Sequence, residues 1–180
     1  MIQKEQDNKK ESKESTVGKI KSSMRRRERG GDEDFGQKIL DLSRVARVTS
    51  GGKRMRFRAC VIIGDKKGKI GLGLAKGSDV ADALNKSVAK AKKNMLDLTH
   101  YHGVIPHRFE VKYRAAKVFI KPGRAGDGII AGGVVRNILE MAGFKDVVAK
   151  ILGSNSKINN SRATFELLNS FLDYKKPIKK

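Results

Sequence analysis

The sequence has few of the residues that membrane proteins and disulfide-bonded or metal-binding folds depend on. It contains one cysteine, Cys60, in 180 residues, which excludes an intramolecular disulfide and a cysteine-based zinc site. Aromatic residues make up 6% of the chain, so any core is modest and mostly aliphatic. The longest stretch without a polar side chain, residues 128–135, is eight residues long, whereas a membrane-spanning helix needs about 20. We therefore expect neither a large single-core enzyme nor a membrane protein.

Acidic residues are also scarce, and their distribution divides the chain. The sequence has 40 Lys+Arg against 19 Asp+Glu, a net charge of +21. Residues 1–34 hold 10 basic and 8 acidic side chains, whereas residues 35–180 carry a net +19. The first 34 residues have little apolar surface to bury and lack the apolar stretch of a secretory signal, so we predict a disordered charged extension in a cytoplasmic protein. Its arginines at 25–27 and 29 fit a solvated tail better than a phosphate contact.

Alternating hydrophobicity predicts three strands after the extension. The first runs from about residue 38 through SRVARV, and the second has Met55, Phe57 and the next three odd positions on one face. The other face of the second strand carries Arg54, Arg56 and Arg58. Gly51 and Gly52 lie between these strands and predict a tight hairpin. In the third strand glycines alternate with apolar residues, which leaves one side bare and open to close approach.

An amphipathic helix follows, with Ser78 as its predicted N-cap and apolar residues recurring at helical spacing as far as Leu98. Lys86, Lys90 and Lys93 are spaced four and three residues apart and therefore form one row. For an isolated helix a solvated lysine face is the simpler interpretation. The arginine strand and the basic hairpin in the same unit favour phosphate binding instead.

The Gly- and Pro-containing segment 101–106 indicates a boundary, and a second module is predicted after it. We expect a short strand at 118–120, a glycine-rich loop at 122–128, a helix from about Ile129 to Ala142 ended by Gly143, a strand at 147–152 and a last helix. The predicted organisation is an extension at 1–34, modules at 35–100 and 101–172, and a basic tail at 173–180.

Two patterns in the second half favour an enzyme or a metal site only weakly. Gly126, Gly128 and Ala131 satisfy the dinucleotide pattern GxGxxG/A, with Asp146 twenty residues beyond Gly126. However, Asp146 precedes the next strand, and only 52 residues follow Gly128, too few for a dinucleotide-binding sheet. Three neighbouring histidines lack the further ligands of a zinc site. We predict no catalysis, no cofactor and no metal.

Two blocks resemble the fifth small-subunit ribosomal protein family. Residues 52–80 have the family's Gly52-Lys53, Phe57, Ala59, Gly64-Asp65, Gly68, Gly71 and Gly73 in register, and residues 128–143 resemble its second module. The resemblance covers about residues 38–172. Ser50, Leu74 and Ala125 replace the lysine, tyrosine and glutamate that are frequent in the family.

The resemblance implies an α+β protein: a double-stranded-RNA-binding-like module, with a three-stranded antiparallel sheet and a helix, followed by an α/β module with a left-handed βαβ crossover. It also implies that the hairpin reaches rRNA beside the spectinomycin site. The second module, with Gly126, Gly128 and Arg136 as candidate interface residues, would contact the fourth small-subunit protein. The eighth small-subunit protein and the mRNA entry path are expected nearby.

We therefore predict a structural rRNA-binding component of the small ribosomal subunit that contributes to subunit assembly and translational fidelity. The alternatives are a free-standing double-stranded RNA-binding regulator and a polybasic protein on an anionic membrane. The candidate RNA-binding residues are basic or glycine-turn positions of the first module. They are Arg44, Arg47, Ser50, Gly51, Gly52, Lys53, Arg54, Arg56, Arg58, Lys66, Lys67, Lys69, Lys76, Lys86, Lys90 and Lys93.

Overall fold

A computed structural model describes residues 35–101 and 103–174. The predicted extension at 1–34 and residues 175–180 of the predicted tail lie outside the described residues. The first sheet is antiparallel, with the strand order β1-β2-β3-β4. Its strands are β1 Gly36–Thr49, β2 Gly52–Gly64, β3 Lys69–Gly77 and β4 Met95–Asp97. The three predicted strands are present, and a short fourth strand is added to them.

Helix α1, Val80–Lys93, packs against β2 and β3. The alternation predicted for β2 places Ala59, Val61 and Ile63 under this helix, where all three are buried. The bare side of β3 also faces the helix. A Cβ atom built on Gly73 would lie 1.9 Å from the carbonyl oxygen of Ser87, and one on Gly71 would lie 2.4 Å from that of Ala91. The partner that approaches this strand closely is therefore the chain's own helix.

The ends of α1 differ from the prediction. Asp79 occupies the N-cap position, whereas the amide and hydroxyl of Ser78 donate to Asp82 Oδ2 at 3.3 and 3.4 Å. The helix ends at Lys93, with Asn94 as C-cap, although the apolar spacing continues to Leu98. The prediction was wrong here because residues 95–97 pair with residues 69–71 at the edge of the sheet. Tertiary pairing overrides the local helical pattern.

The second sheet has the order β5-β6-β8-β7, in which β7 and β8 are parallel. Its elements are β5 Phe109–Tyr113, β6 Ala116–Pro122, β7 Ile129–Ile130, α2 Gly133–Ala142, β8 Val147–Ile151 and α3 Lys157–Tyr174. The predicted helix thus starts four residues late, because Ile129 and Ile130 join the sheet. Gly143 ends α2 in the left-handed conformation, φ 84°, as predicted. The left hand of the β7-α2-β8 crossover stays a prediction.

One hydrophobic core joins the two sheets. Cys60 and Ile62 of β2 belong to the same buried cluster as Ile138 of α2 and Phe171 of α3. The turn after β2 also docks on α2, where the Lys66 amide donates to the Met141 carbonyl at 3.2 Å. The α+β class is confirmed.

Candidate RNA-binding surface

The hairpin of β1 and β2 extends beyond the rest of the first sheet. Pairing between β2 and β3 begins at Phe57, whereas β1 and β2 stay paired as far as Thr49 and Gly52. Within the described part of the chain, residues 45–56 therefore form a two-stranded segment without a third strand, which we call the free ribbon. A ribbon of this kind presents both faces to its surroundings.

Both faces of the free ribbon carry positive charge. Arg47 is directly opposite Arg54, and Arg56 is the next residue of β2 on the same face. The other face carries Lys53, and Arg44 lies on that face at the base of the ribbon, opposite Phe57. All five of these side chains are exposed. Like charges directly opposite in a sheet are unfavourable, so this arrangement favours an anionic partner.

The tip of the ribbon exposes backbone. Ser50 and Gly51 form its two-residue loop, and the hydroxyl of Thr49 donates to the Gly52 carbonyl at 3.1 Å. Gly52 has φ 138°, a value that side chains with a Cβ atom resist. Apart from the adjacent residues in the chain, no heavy atom of the part that the structure describes lies within 4 Å of a Cβ built on Gly51 or Gly52. The tip is therefore accessible to a partner.

Arg58 lies on the same face as Arg56, but its guanidinium contacts side chains of β1. Its Nη2 donates to Ser43 Oγ at 3.0 Å and lies 3.8 Å from Asp41 Oδ2. Lys157 of α3 lies 3.5 Å from the other oxygen of Asp41. Asp41 therefore links the base of the ribbon to α3. Lys76, directly opposite Arg58 on β3, is exposed.

The turn between β2 and β3 lies far from the ribbon tip. Thirteen residues of β2 separate the two ends, a distance of about 40 Å. Asp65 Oδ1 accepts hydrogen bonds from the amides of Lys67 and Lys69, at 2.7 and 3.0 Å. Lys66 and Lys67 are exposed, and Lys69 is half-buried. These lysines cannot share one small contact with the tip.

The predicted row on α1 is present, since Lys86, Lys90 and Lys93 are all exposed. Lys86 forms an ion pair of 2.8 Å with Asp82. The hydrogen bond from Lys86 lowers the pKa of the Asp82 carboxyl. Helix α1 covers the face of β2 opposite the one that carries Arg54 and Arg56. The candidate residues therefore form three separate groups: the ribbon with Lys76, the β2–β3 turn and the helix row.

The glycine loop of the second half is closed by an acidic side chain. The amides of Gly126 and Gly128 donate to Asp146 Oδ1 at 3.1 and 3.0 Å. In a dinucleotide site such amides would bind phosphate, but here a carboxylate occupies them. Both glycines have positive φ, 91° and 67°, with open space at the Cβ position. Arg136 is exposed and donates through Nη2 to the Ile129 carbonyl at 3.1 Å.

The remaining candidate groups are the cysteine, the potential metal ligands and the helices. Cys60 is buried and hydrogen-bonded to Ser161, and burial raises the pKa of its thiol. Across residues 35–101 and 103–174, no three His, Cys, Asp or Glu side chains are grouped as metal ligands would be. No helix in that part of the chain is long and apolar enough to cross a bilayer.

The sequence interpretation did not identify Asp41 and Asp146 as partners of candidate residues. Asp146 was weighed only as the acidic residue of the dinucleotide pattern, although a carboxylate beside a glycine loop also suits a capping role. The sequence interpretation also did not identify β5 and the lysines on the second sheet. The alternation Lys117, Phe119, Lys121 in β6 is a signal that would have revealed them.

Both halves of the chain match models of known protein families. Residues 35–98 match the model for "Ribosomal protein S5, N-terminal domain", and residues 111–180 match "Ribosomal protein S5, C-terminal domain". Small ribosomal subunit protein uS5 of Treponema pallidum (strain Nichols) is 44% identical over 145 residues, 81% of this chain and 84% of that protein. The Thermotoga maritima protein of the same name is 41% identical over 147 residues, 82% and 83%. Small ribosomal subunit protein uS5c of Phaeodactylum tricornutum is 42% identical over 149 residues, 82% and 85%.

Proposed function

Since the chain belongs to the ribosomal protein S5 family, we propose that it binds rRNA in the small ribosomal subunit mainly through the free ribbon. Its role is structural, and it acts in the cytoplasm as part of the ribosome. The observation that carries the proposal is the ribbon itself, a two-stranded projection with Arg47 opposite Arg54 and with no third strand beside it among the described residues.

The ribbon suits rRNA by charge and shape. Its arginines and Lys53 neutralise phosphates, while the open backbone at Gly51 and Gly52 lets the tip approach a groove closely. Neither device reads bases, so specificity comes from the shape of the folded rRNA. The tip is proposed to lie near the spectinomycin site. Lys76 and the helix row extend the contact on either side of the first sheet.

Arg58 has a different role in this proposal. Its guanidinium is held by Ser43 and Asp41, and Asp41 also meets Lys157. We assign Arg58 to fixing the direction of the ribbon relative to α3, rather than to a free phosphate contact. A ribbon held in one direction loses less conformational entropy when it binds.

Gly126, Gly128 and Arg136 form the proposed contact with the fourth small-subunit protein, and the eighth is a further proposed neighbour. The loop is stiffened by Asp146, while its outer surface stays open. Arg136, exposed on α2, is available to an acidic side chain of the partner. Loosening of this contact during subunit closure would link the protein to fidelity, near the mRNA entry path.

High-salt sucrose gradients test the proposal. The tagged protein should co-sediment with small subunits, because an assembled component stays attached when surface charges are screened. A variant with Arg47, Arg54 and Arg56 changed to Gln should be depleted from that fraction, whereas Lys145→Gln, which changes an exposed lysine outside the ribbon, should not. Wild-type protein that remains at the top of the gradient would contradict the proposal.

A further inference from the structure

The second sheet has one face that neither helix covers. Helices α2 and α3 lie on the side of Val118, Ile120 and Val147, which are fully buried. Strand alternation places the neighbouring side chains on the opposite side, and none of them is buried. This outer face consists of Glu110, Lys112, Lys117, Phe119, Lys121, Ile130, Val148 and Lys150.

Positive charge dominates the outer face. Four of its eight residues are lysines, and its one acid, Glu110, forms an ion pair with Lys117. Lys112, Lys121 and Lys150 have no ion pair within the described part of the chain. Lys112 is directly opposite Lys117. A pair of like charges in this position is unfavourable in the free protein, so an anion across the strands would relieve repulsion.

An aromatic ring lies among these lysines. Phe119 is directly opposite Lys150 on β8 and Glu110 on β5, and it is half-buried. The exposed Arg108 places its guanidinium carbon 4.7 Å from the ring centroid. Ile130, at the edge of the same face, is 50% exposed. The face therefore combines flat apolar surface with cations on both sides of it.

This combination matches RNA better than it matches an acidic protein surface. Each nucleotide supplies both a flat ring and a negative charge, and aromatic side chains on sheets stack unpaired bases between basic residues. An acidic protein would satisfy the lysines but would leave the Phe119 and Arg108 pair without a stacking partner.

We propose that the outer face is a second RNA-binding surface, on which an unpaired rRNA segment stacks a base near Phe119 and places phosphates at Lys112, Lys121 and Lys150. The proposal rests on the proposed rRNA-binding function. The face is on the second sheet, whereas the free ribbon belongs to the first, so the two surfaces would hold different rRNA segments.

The first test is a salt titration of full-length protein on small-subunit rRNA. Changing Lys112, Lys121 and Lys150 together to Gln should lower the slope of log affinity against log salt by about 2, as expected for three lost phosphate contacts. Phe119→Leu should weaken binding about tenfold and leave the slope unchanged. Lys145→Gln, which removes one exposed lysine that does not belong to the outer face, is the control and should leave affinity and slope close to wild type. Matching unfolding temperatures confirm that each variant folds.

The second test identifies the partner. A photoreactive phenylalanine analogue at position 119 in reconstituted small subunits should cross-link to rRNA. The inference would be overturned by a cross-link to protein, by no cross-link in subunits that contain the protein, or by salt-titration slopes of the variants equal to wild type. If the wild type still co-sediments with small subunits, the proposed function stays intact. If the wild-type protein does not bind rRNA, both the proposed function and this inference are refuted.

Discussion

Replacing Gly73 by alanine tests whether the glycines of β3 serve helix packing or RNA contact. A Cβ atom at this position would lie 1.9 Å from the Ser87 carbonyl oxygen and 2.8 Å from the Ala91 amide nitrogen. Normal contact distance exceeds 3.4 Å, so α1 would have to move about 1.5 Å away from the sheet. A Cβ atom built on Gly71 or Gly77 would also lie 2.4 Å from a backbone atom of the same helix, so the helix packs closely along β3 and a local shift is restricted.

We expect Gly73→Ala to reduce the free energy of unfolding by about 3 kcal/mol, the upper end for overpacking. For a domain of this size that corresponds to a fall of about 10 °C in Tm, measured by circular dichroism. Gly133→Ala is the matched control, because nothing lies within 4 Å of its Cβ position, and it should leave Tm unchanged or slightly raised. A Gly73→Ala protein with wild-type Tm but weaker rRNA binding would refute the packing role.

The remaining predictions concern the candidate contacts. Changing Arg54 and Arg56 together to Ala should weaken rRNA binding regardless of sequence and lower the salt-titration slope by about 2, and an unchanged slope would count against phosphate contact. Gly52→Asp should distort the tip, because its φ of 138° strains any residue with a Cβ atom, at a cost of about 1–3 kcal/mol. It should also alter spectinomycin sensitivity of reconstituted ribosomes, and an unaltered response at full incorporation would argue against this placement. Arg136→Leu should cost about 1–3 kcal/mol at the proposed contact and raise near-cognate misreading. Equal misreading by Arg136→Leu, Arg136→Lys and wild type at full occupancy would reject the fidelity role.

The parts of the fold that follow from local pattern were predictable. The alternation in β2 identified the strand and the side that packs under α1, and Gly143 marked the end of α2. The family resemblance then supplied the two-part α+β arrangement. These features depend on residues close together in the chain, where periodicity and turn chemistry are sufficient evidence.

Long-range pairing accounts for the errors. Residues 95–97 continue an apolar helical spacing but pair with residues 69–71, and Ile129 and Ile130 join β8. The bare side of β3 predicted a close approach without identifying the partner, which is the next element, α1, through Ser87 and Ala91. The RNA-binding role of Arg58 stays a prediction, but its contacts with Asp41 and Ser43 of β1 could not be foreseen from the spacing that groups it with Arg54 and Arg56. None of these partners is adjacent in sequence.

Directed hydroxyl-radical cleavage from the ribbon tip tests the central claim most directly. In a Cys60→Ala background, Ser50→Cys would be the only thiol, because the sequence has a single cysteine. An iron chelate attached there, in reconstituted small subunits, should cleave a compact set of rRNA nucleotides close to the spectinomycin site. Absence of rRNA cleavage in subunits that contain the tethered protein would contradict binding through the free ribbon.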